Sequence, residues 1–569
     1  MNLPRTMDAL FEPLLERPGD PAVLRVLSDA LLERGDPWGE AIRLSLDLEN
    51  TFLGEDAHRL GHRRLERLEQ RYGGRWRAKV RKPTELRPQI RLFRSIPSHV
   101  DSNDAAVAGL LDGPIAWLDY NARGSTLVPA WPRRSGLVRI ELGLNVEAAQ
   151  VRTLFGPGLT SLRSVSLPWL GNETLELLES SDWTGQLERL RLYGFEATAS
   201  PAHLDRLLKL SMPKLRELDL FGLSLGQPGA EKLAAMPWKL ERLTLDNANF
   251  GVKGIVALAA SPALATVKEL SLTRNAMGPN GATALATSPH LKQVIALDLS
   301  STASGAKTLA TFFEALKLPS LKALTLFSCG LKGAGLEPLG KSKNKTLAQL
   351  THLDVSGNLM GDDGLTHLSK TTVMSNVRVL RLGGNAIKGK GMDALGKSVL
   401  LGKVEELTLG HNKFQNTGAK GLAASKKLGS LKVLTLGHNW LGVKGLEMIV
   451  ENPSLTGLEH VREGMNNYGV ALIRSFVESK TLKLWTLSLG PETTTDALEE
   501  LLSSVRVGSL EFLSIACNAF DDAQAEVLLK GPLSKSGTTL YISRVWCNQL
   551  SETARNKLTS VLGERVSFD

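Results

Sequence analysis

Aliphatic residues recur along most of the chain in one fixed pattern, L-x-x-L-x-L-x-x-N-x-L. Its first positions are Leu137, Leu162, Leu187, Leu215, Leu240, Val267, Val294, Leu321, Leu350, Val377, Val404, Leu431, Leu458, Leu484, Leu510 and Leu540. Successive starts lie 25 to 30 residues apart, most often 27, and a degenerate start at Ile115 extends the lower limit to 22. At positions one, four and six only Glu463 and Ser543 are not aliphatic, in a chain that is 42% hydrophobic overall. Positions four and six alternate with polar neighbours, which predicts a short strand that points them inward. Position nine is Asn145, Asn275, Asn358, Asn385, Asn412, Asn439, Asn466, Asn518 or Asn548, and Cys329 takes that place once. An amide both donates and accepts, so a stacked row of Asn can satisfy the backbone where it leaves the strand. Leu170, Phe195, Leu223, Ala248, Thr302 and Glu492 interrupt the row.

After the Asn come an apolar residue, a Gly and a second Gly three later, as in Met277-Gly278 with Gly281, Met360-Gly361 with Gly364, and Leu441-Gly442 with Gly445. The first suits a turn with positive φ and the second a close helix approach. Helical spacing follows, as in Ile255, Leu258 and Ala259. Each unit is therefore strand, turn, helix, and buries its apolar face only by stacking on its neighbours. Glu463 at a core position predicts a kink or an opening there. Residues 84–136 include IRLFRSIPSHV and IAWLDYN, read as degenerate first repeats, and Ser551 is placed to cap a last helix, ETARNKLTSVL. The first 83 residues follow helical spacing instead, over roughly 5–16, 21–34, 38–50 and 55–72, with turns at Pro18-Gly19, Gly35-Asp36-Pro37 and Gly73-Gly74.

On these residues the chain resembles the leucine-rich repeat family over 137–550, and within it the ribonuclease-inhibitor subtype with helix-containing units. That resemblance implies an α/β solenoid, a horseshoe with a concave parallel β-sheet and convex helices. The stretch VLSDALLERGDPWGEAIRLSLDLE resembles a short bacterial domain, the repeat-companion domain, through Asp29, Glu33, Arg34, Gly35, Asp36, Pro37, Gly39 and Glu40 up to Leu44. Its later basic helix ending in tryptophan matches RRLERLEQRYGGRW. The expected layout is a small all-α domain over 1–83, a cap with degenerate repeats over 84–136, about sixteen leucine-rich repeats over 137–550 and a C-terminal cap over 551–569.

Composition narrows the function. Three Cys in 569 residues make no disulfide scaffold and suit a reducing compartment. No apolar run is long enough to span a membrane, and the first residues show no secretory pattern. The net charge is +9, yet residues 57–94 hold 13 Lys and Arg against Glu66, Glu69 and Glu85. The excess is local, and a solvated basic helix accounts for it. Two stretches satisfy G-x-x-x-x-G-K-[ST]: Gly335, Gly340, Lys341, Ser342 and Gly391, Gly396, Lys397, Ser398. In both, the first Gly is the repeat's own helix-start Gly, so Gly-Lys-Ser falls at a helix C-terminus, where the dipole disfavours an anion. His411 and His438 share position eight in consecutive frames, with His460 following; no full metal-ligand set is evident. Cys517 and Cys547 share position eight in neighbouring frames, and His58 and His62 are read as solvated.

The surface positions of the sheet remain. Trp169, Arg189, Arg191, Tyr193, Asp219, Phe221 and Asp246 lie toward one end, and His411, His438, Trp440, His460, Arg462 and Trp546 toward the other. Exposed aromatics with Arg are common binding anchors. The expectation is a bacterial, cytoplasmic, monomeric and non-catalytic scaffold that binds a protein partner on the concave face. No cofactor, metal, membrane or small-molecule substrate is expected. Two alternatives stay open: a regulator of a small GTPase or another enzyme, as inhibitor or activator, and association of nucleic acid or another anionic partner with residues 57–94.

Overall fold

The computed structural model describes residues 20–80, 89–93, 96–102, 117–120, 137–143, 151–152, 154–155, 158–169, 171–197, 199–302, 305–462, 473–474, 477–478, 484, 486–489, 493–516, 520–543 and 549–568. The chain divides into two compact units, Met1–Asp298 and Leu299–Asp569.

Among the described residues the first unit opens with three helices, α1 (Pro21–Glu33), α2 (Pro37–Leu48) and α3 (Asp56–Val80). Asp20 and Asp36 start the first two. Each side chain accepts an N–H two residues on, from Ala22 at 2.8 Å and from Trp38 at 3.0 Å, and each precedes a Pro that needs no N–H partner. Their apolar faces close on Leu24, Leu27, Ala30, Leu31, Trp38, Ala41, Ile42, Leu46 and Leu68. α3 runs past the expected end at residue 72, and the expected helix over 5–16 lies outside the described residues.

Strands β1 (Gln89–Phe93) and β2 (Ile96–Ser102) pair antiparallel, with Ile90 opposite Val100. IRLFRSIPSHV is thus a hairpin and not a repeat: its first arm runs against the sheet and its second opens the parallel run. There follow β3 (Trp117–Tyr120), β4 (Arg139–Leu142), β5 (Ser164–Pro168), β6 (Arg189–Ala197), β7 (Glu217–Leu223), β8 (Arg242–Thr244), β9 (Glu269–Ser271) and β10 (Ala296–Asp298), all parallel. Leu118, Ile140, Val165, Leu190, Leu218, Leu243, Leu270 and Leu297 stand side by side across them. Each is position four of its frame, counting the degenerate start at Ile115. From Ile140 on they are buried, which contributes roughly 2 kcal/mol per side chain.

The second unit repeats the plan through β11 (Ala323–Thr325), β12 (His352–Asp354), β13 (Val379–Arg381), β14 (Glu406–Thr408), β15 (Val433–Thr435), β16 (His460–Arg462), β17 (Thr486–Leu489), β18 (Phe512–Ile515), β19 (Thr539–Ile542) and β20 (Val566–Phe568). Each of the two units is an α/β solenoid. One expected frame is out of register. Leu513, at position four, pairs with Leu540, so Leu540 is position four and not position one. The last frame then starts at Gly537: Ile542 and not Ser543 points inward, Gly stands at position one, and Asn548 falls three places past the Asn row. Cys547 then falls three positions past the place that Cys517 holds, so the two share no row; both lie outside the described residues. Glu463, where a kink was expected, also lies outside them. Ser551 caps the helix Glu552–Leu562 by accepting the Ala554 N–H at 3.1 Å. β20 then adds a parallel strand on β19.

Turn geometry explains the glycines only in part. Gly278 and Gly361 have φ of 52° and 59°, as their place requires. Gly442 is extended at φ −96°, so this repeat does not use the positive φ that its place suggested. Position eight is left-handed without glycine in six frames, at Asn247, Arg274, Ser301, Ser328, His411 and His438, with φ of 54° to 59°. Each of these costs about 1 kcal/mol relative to glycine.

Candidate functional site

The strand exit is held by side-chain amides. Asn412 Nδ2 donates to Leu382 O at 3.0 Å and to Leu409 O at 2.8 Å, while its Oδ1 accepts the N–H of Asn385 at 2.9 Å and of Ile387 at 3.1 Å. Asn358, Asn385 and Asn439 repeat the two donations, each to its own repeat and to the one before. Cys329 occupies the same place, its thiol donating to Leu299 O at 3.2 Å and its N–H to Asn358 Oδ1 at 2.8 Å. Asn275 stands in the first unit with Nδ2 on Leu245 O. Thr302, which interrupts the row, is buried and donates to Leu299 O at 2.9 Å. Asn145, Asn466, Asn518 and Asn548 lie outside the described residues. These amides fix the loops from which positions seven, eight and ten project.

In the first unit those positions are largely occupied by one another. Trp169, expected on the surface, is 9% exposed: the ring of His203, from the helix Pro201–Leu208 of the following repeat, packs edge-on against it at 5.5 Å. Arg191 pairs with Asp219 at 3.0 Å and lies over the rings of Tyr193 and Phe221, at 5.4 and 5.9 Å from their centroids. The Tyr193 hydroxyl donates to Leu142 O. Asp246 accepts from the Ser271 hydroxyl at 2.6 Å and the Thr273 N–H at 2.9 Å. Burial pushes the Asp219 carboxyl up to about 6, against the opposing effect of Arg191 and with a further push from Asp246. Burial likewise raises Asp246. Arg189 is paired with Glu217 at 2.9 Å.

The second unit carries the open aromatic surface. The His411 and His438 rings stack on successive turns. Trp440 is 62% exposed, with the Lys413 ammonium 5.5 Å from its ring centroid. Leu359, at the same position ten, is 64% exposed, and Phe327 is 48% exposed. Lys413 and Leu359 escape a reading of sequence alone, since position ten carries no fixed residue type; Phe327 stands at position seven, where its exposure could have been read. His460 belongs elsewhere: it is position three of its frame, buried, and opposite Val433. Arg462 lies on β16, and Trp546 lies outside the described residues.

The two phosphate-loop look-alikes end helices. Lys341 closes the helix Glu337–Lys341 and Lys397 closes Gly389–Lys397. Gly340 and Gly396 are needed for packing, because a Cβ there would collide with the carbonyl oxygens of His367 and Gly421 on the next helix. Among the described residues no three His, Cys, Asp or Glu gather to hold a metal, and no helix is long and apolar enough to cross a membrane. Part of the basic stretch is consumed internally: Arg64 forms a two-pronged pair with Glu40 at 2.8 Å, and Arg59 is buried beside Asp56. Of His58 and His62, both expected in solvent, His58 is half-buried and His62 exposed, with ring centroids 4.4 Å apart.

The model of the family described as Leucine Rich repeat matches residues 263–286, 348–369, 373–396 and 430–450. Those four segments are leucine-rich repeats. The matched segments coincide with turns of strand, Asn row and helix described above. No curated protein matches the chain. Among solved structures, the yeast Rad7 and Elc1 complex is similar at 16% identity and a TM-score of 0.31, covering 55% of this chain and 82% of that one.

Proposed function

We propose that the protein is a non-catalytic interaction scaffold whose leucine-rich repeats bind a protein partner on the strand face, with the main anchor in the second unit. One observation carries this reading: the exposed Trp440 ring, backed by Lys413 and flanked by the stacked His411 and His438. Large aromatics that cover no core are costly to leave in water and supply binding energy when a partner buries them. Trp38, Trp183 and Phe414, by contrast, are fully buried. The aromatic and Arg cluster around Arg191 is already self-paired, which makes it the weaker anchor.

The test is affinity isolation with the full chain, followed by calorimetry with the purified partner. Trp440→Ala is expected to weaken binding at least tenfold, and the double variant Arg191→Glu, Tyr193→Ala much less. Unchanged affinity in Trp440→Ala refutes the anchor.

A further inference from the structure

Position three of four successive frames in the first unit carries Arg189, Glu217, Arg242 and Glu269, at the starts of β6 to β9. The charges alternate, and each bridges to the next: Arg189 to Glu217 at 2.9 Å, Glu217 to Arg242, and Arg242 to Glu269 at 2.9 Å. The turn between α2 and α3 is laid on this row. Arg242 donates from Nη2 to Thr51 O at 2.6 Å and from Nη1 to Glu49 O at 3.4 Å. The Leu53 N–H donates to Glu269 Oε1 at 2.8 Å. The Phe52 ring is buried beneath two cations, Arg242 at 4.5 Å and Lys268 at 4.7 Å from its centroid.

Two features separate this contact from ordinary core packing. The helical core contains no residue of the repeats, so the three helices hold one another without it. The contact also reads main chain: two carbonyls and one amide are engaged, and a single aromatic side chain. Beside it the covering is incomplete. Pro21, Glu49 and Asn50 face Arg189, Arg216 and Glu217 across a cleft of about 210 Å³, so part of the row is free to be lengthened over. Burial alone lowers the pKa of Arg242, but Glu217 and Glu269 more than offset that, so the guanidinium stays charged.

We infer that the position-three row of β6 to β9 is a peptide-recognition surface, kept occupied by the chain's own residues 49–53. Its ligand in trans is an extended protein segment that offers an aromatic residue beside free backbone carbonyls. The row differs from the Trp440 surface and stands whether or not that surface binds.

The test uses the full chain and a fluorescein-labelled peptide with the sequence of residues 46–55, read by anisotropy, alongside hydrogen exchange of the loop amides. Phe52→Ala is expected to free the loop, with loss of amide protection over 50–55 and peptide binding at least tenfold tighter than wild type. Adding Arg242→Gln to that variant is expected to abolish the binding, and a peptide with Ala in place of its Phe is not expected to bind. Arg242→Gln alone, which leaves the ring in place, must also raise loop exchange. Amides of β12 report whether the repeats stay folded. The inference is overturned if Phe52→Ala takes up no more peptide than wild type, if Arg242→Gln leaves that uptake intact, or if either single variant leaves loop exchange unchanged.

Discussion

The imidazole rings of His411 and His438 lie face to face, with centroids 4.0 Å apart and planes 16° from parallel. Both residues hold φ of 57°, a conformation that glycine adopts at no cost. The rings are therefore kept at a backbone expense. His438→Gly is expected to leave stability within about 1 kcal/mol of wild type, because relief of strain offsets the added freedom of the unfolded chain. The same variant is expected to weaken partner binding severalfold. Thermal unfolding beside calorimetry separates the two effects; a large loss of stability refutes the prediction.

Asn412 is buried and serves two repeats at once. Asn412→Ala strands the N–H groups of Asn385 and Ile387 and takes one donor from the carbonyls of Leu382 and Leu409, which keep the amides of Asn385 and Asn439. Leaving two buried N–H groups unpaired costs about 3 kcal/mol or more. Cys329→Ala removes only a thiol donor and is expected to cost about 1 kcal/mol. Urea titration followed by exchange at β13 and β14 measures both, and equal losses would contradict the ladder's role.

Asp219 has a pKa of about 6 in the folded protein, above its ordinary value of 3.8. The folded state therefore holds a proton that the unfolded chain releases. The associated stability is present at pH 4 and below and is lost as pH rises through 6. Allowing for partial exposure, the loss is about 1 to 2 kcal/mol. Asp219→Asn is expected to flatten this part of the pH profile and to melt higher than wild type at pH 8. A variant less stable at pH 8 means that the Arg191 pair outweighs the burial.

His58 behaves in the opposite sense. Burial, His62 and Arg242 together push it down to about 4, while Thr51 pulls weakly the other way; burial also lowers His62, against the pull of Glu66. The neutral ring is the folded form, so stability is lost as pH falls from 6.5 toward 4. The site is half open, and screening holds the effect to about 1 kcal/mol. Loop exchange at residues 49–54 should rise with acid over that range in wild type and not in His58→Gln. A flat wild-type profile rejects the assignment.

The strand positions were legible because inward residues recur at a fixed offset: Ile140 through Leu513 are each three past a predicted start. Ser551 was legible as a cap and Asp36 as part of a turn, since both are set by neighbours in sequence. The last frame misled because Leu540 at position four imitates a position-one leucine, and only pairing with Leu513 separates the two. Trp169 misled because the ring that closes over it, His203, belongs to another element. The grip of Arg242 on residues 49–53 left only a faint trace, the alternating charges at position three. Its partners lie nearly two hundred residues away in the chain, where no periodicity reaches.

The amide ladder fixes the strand side of each repeat and leaves slack on the other. Asn358, Asn385, Asn412 and Asn439 follow one another at intervals of 27 residues, yet the Asn358 amide makes the same bonds to the loop of Cys329 across 29. The return along the helix side takes up the two extra residues. Growth of the protein by descent therefore follows two rules in this stretch: duplication of whole turns keeps every amide in step, and insertions are confined to the helix side, between one Asn and the next strand.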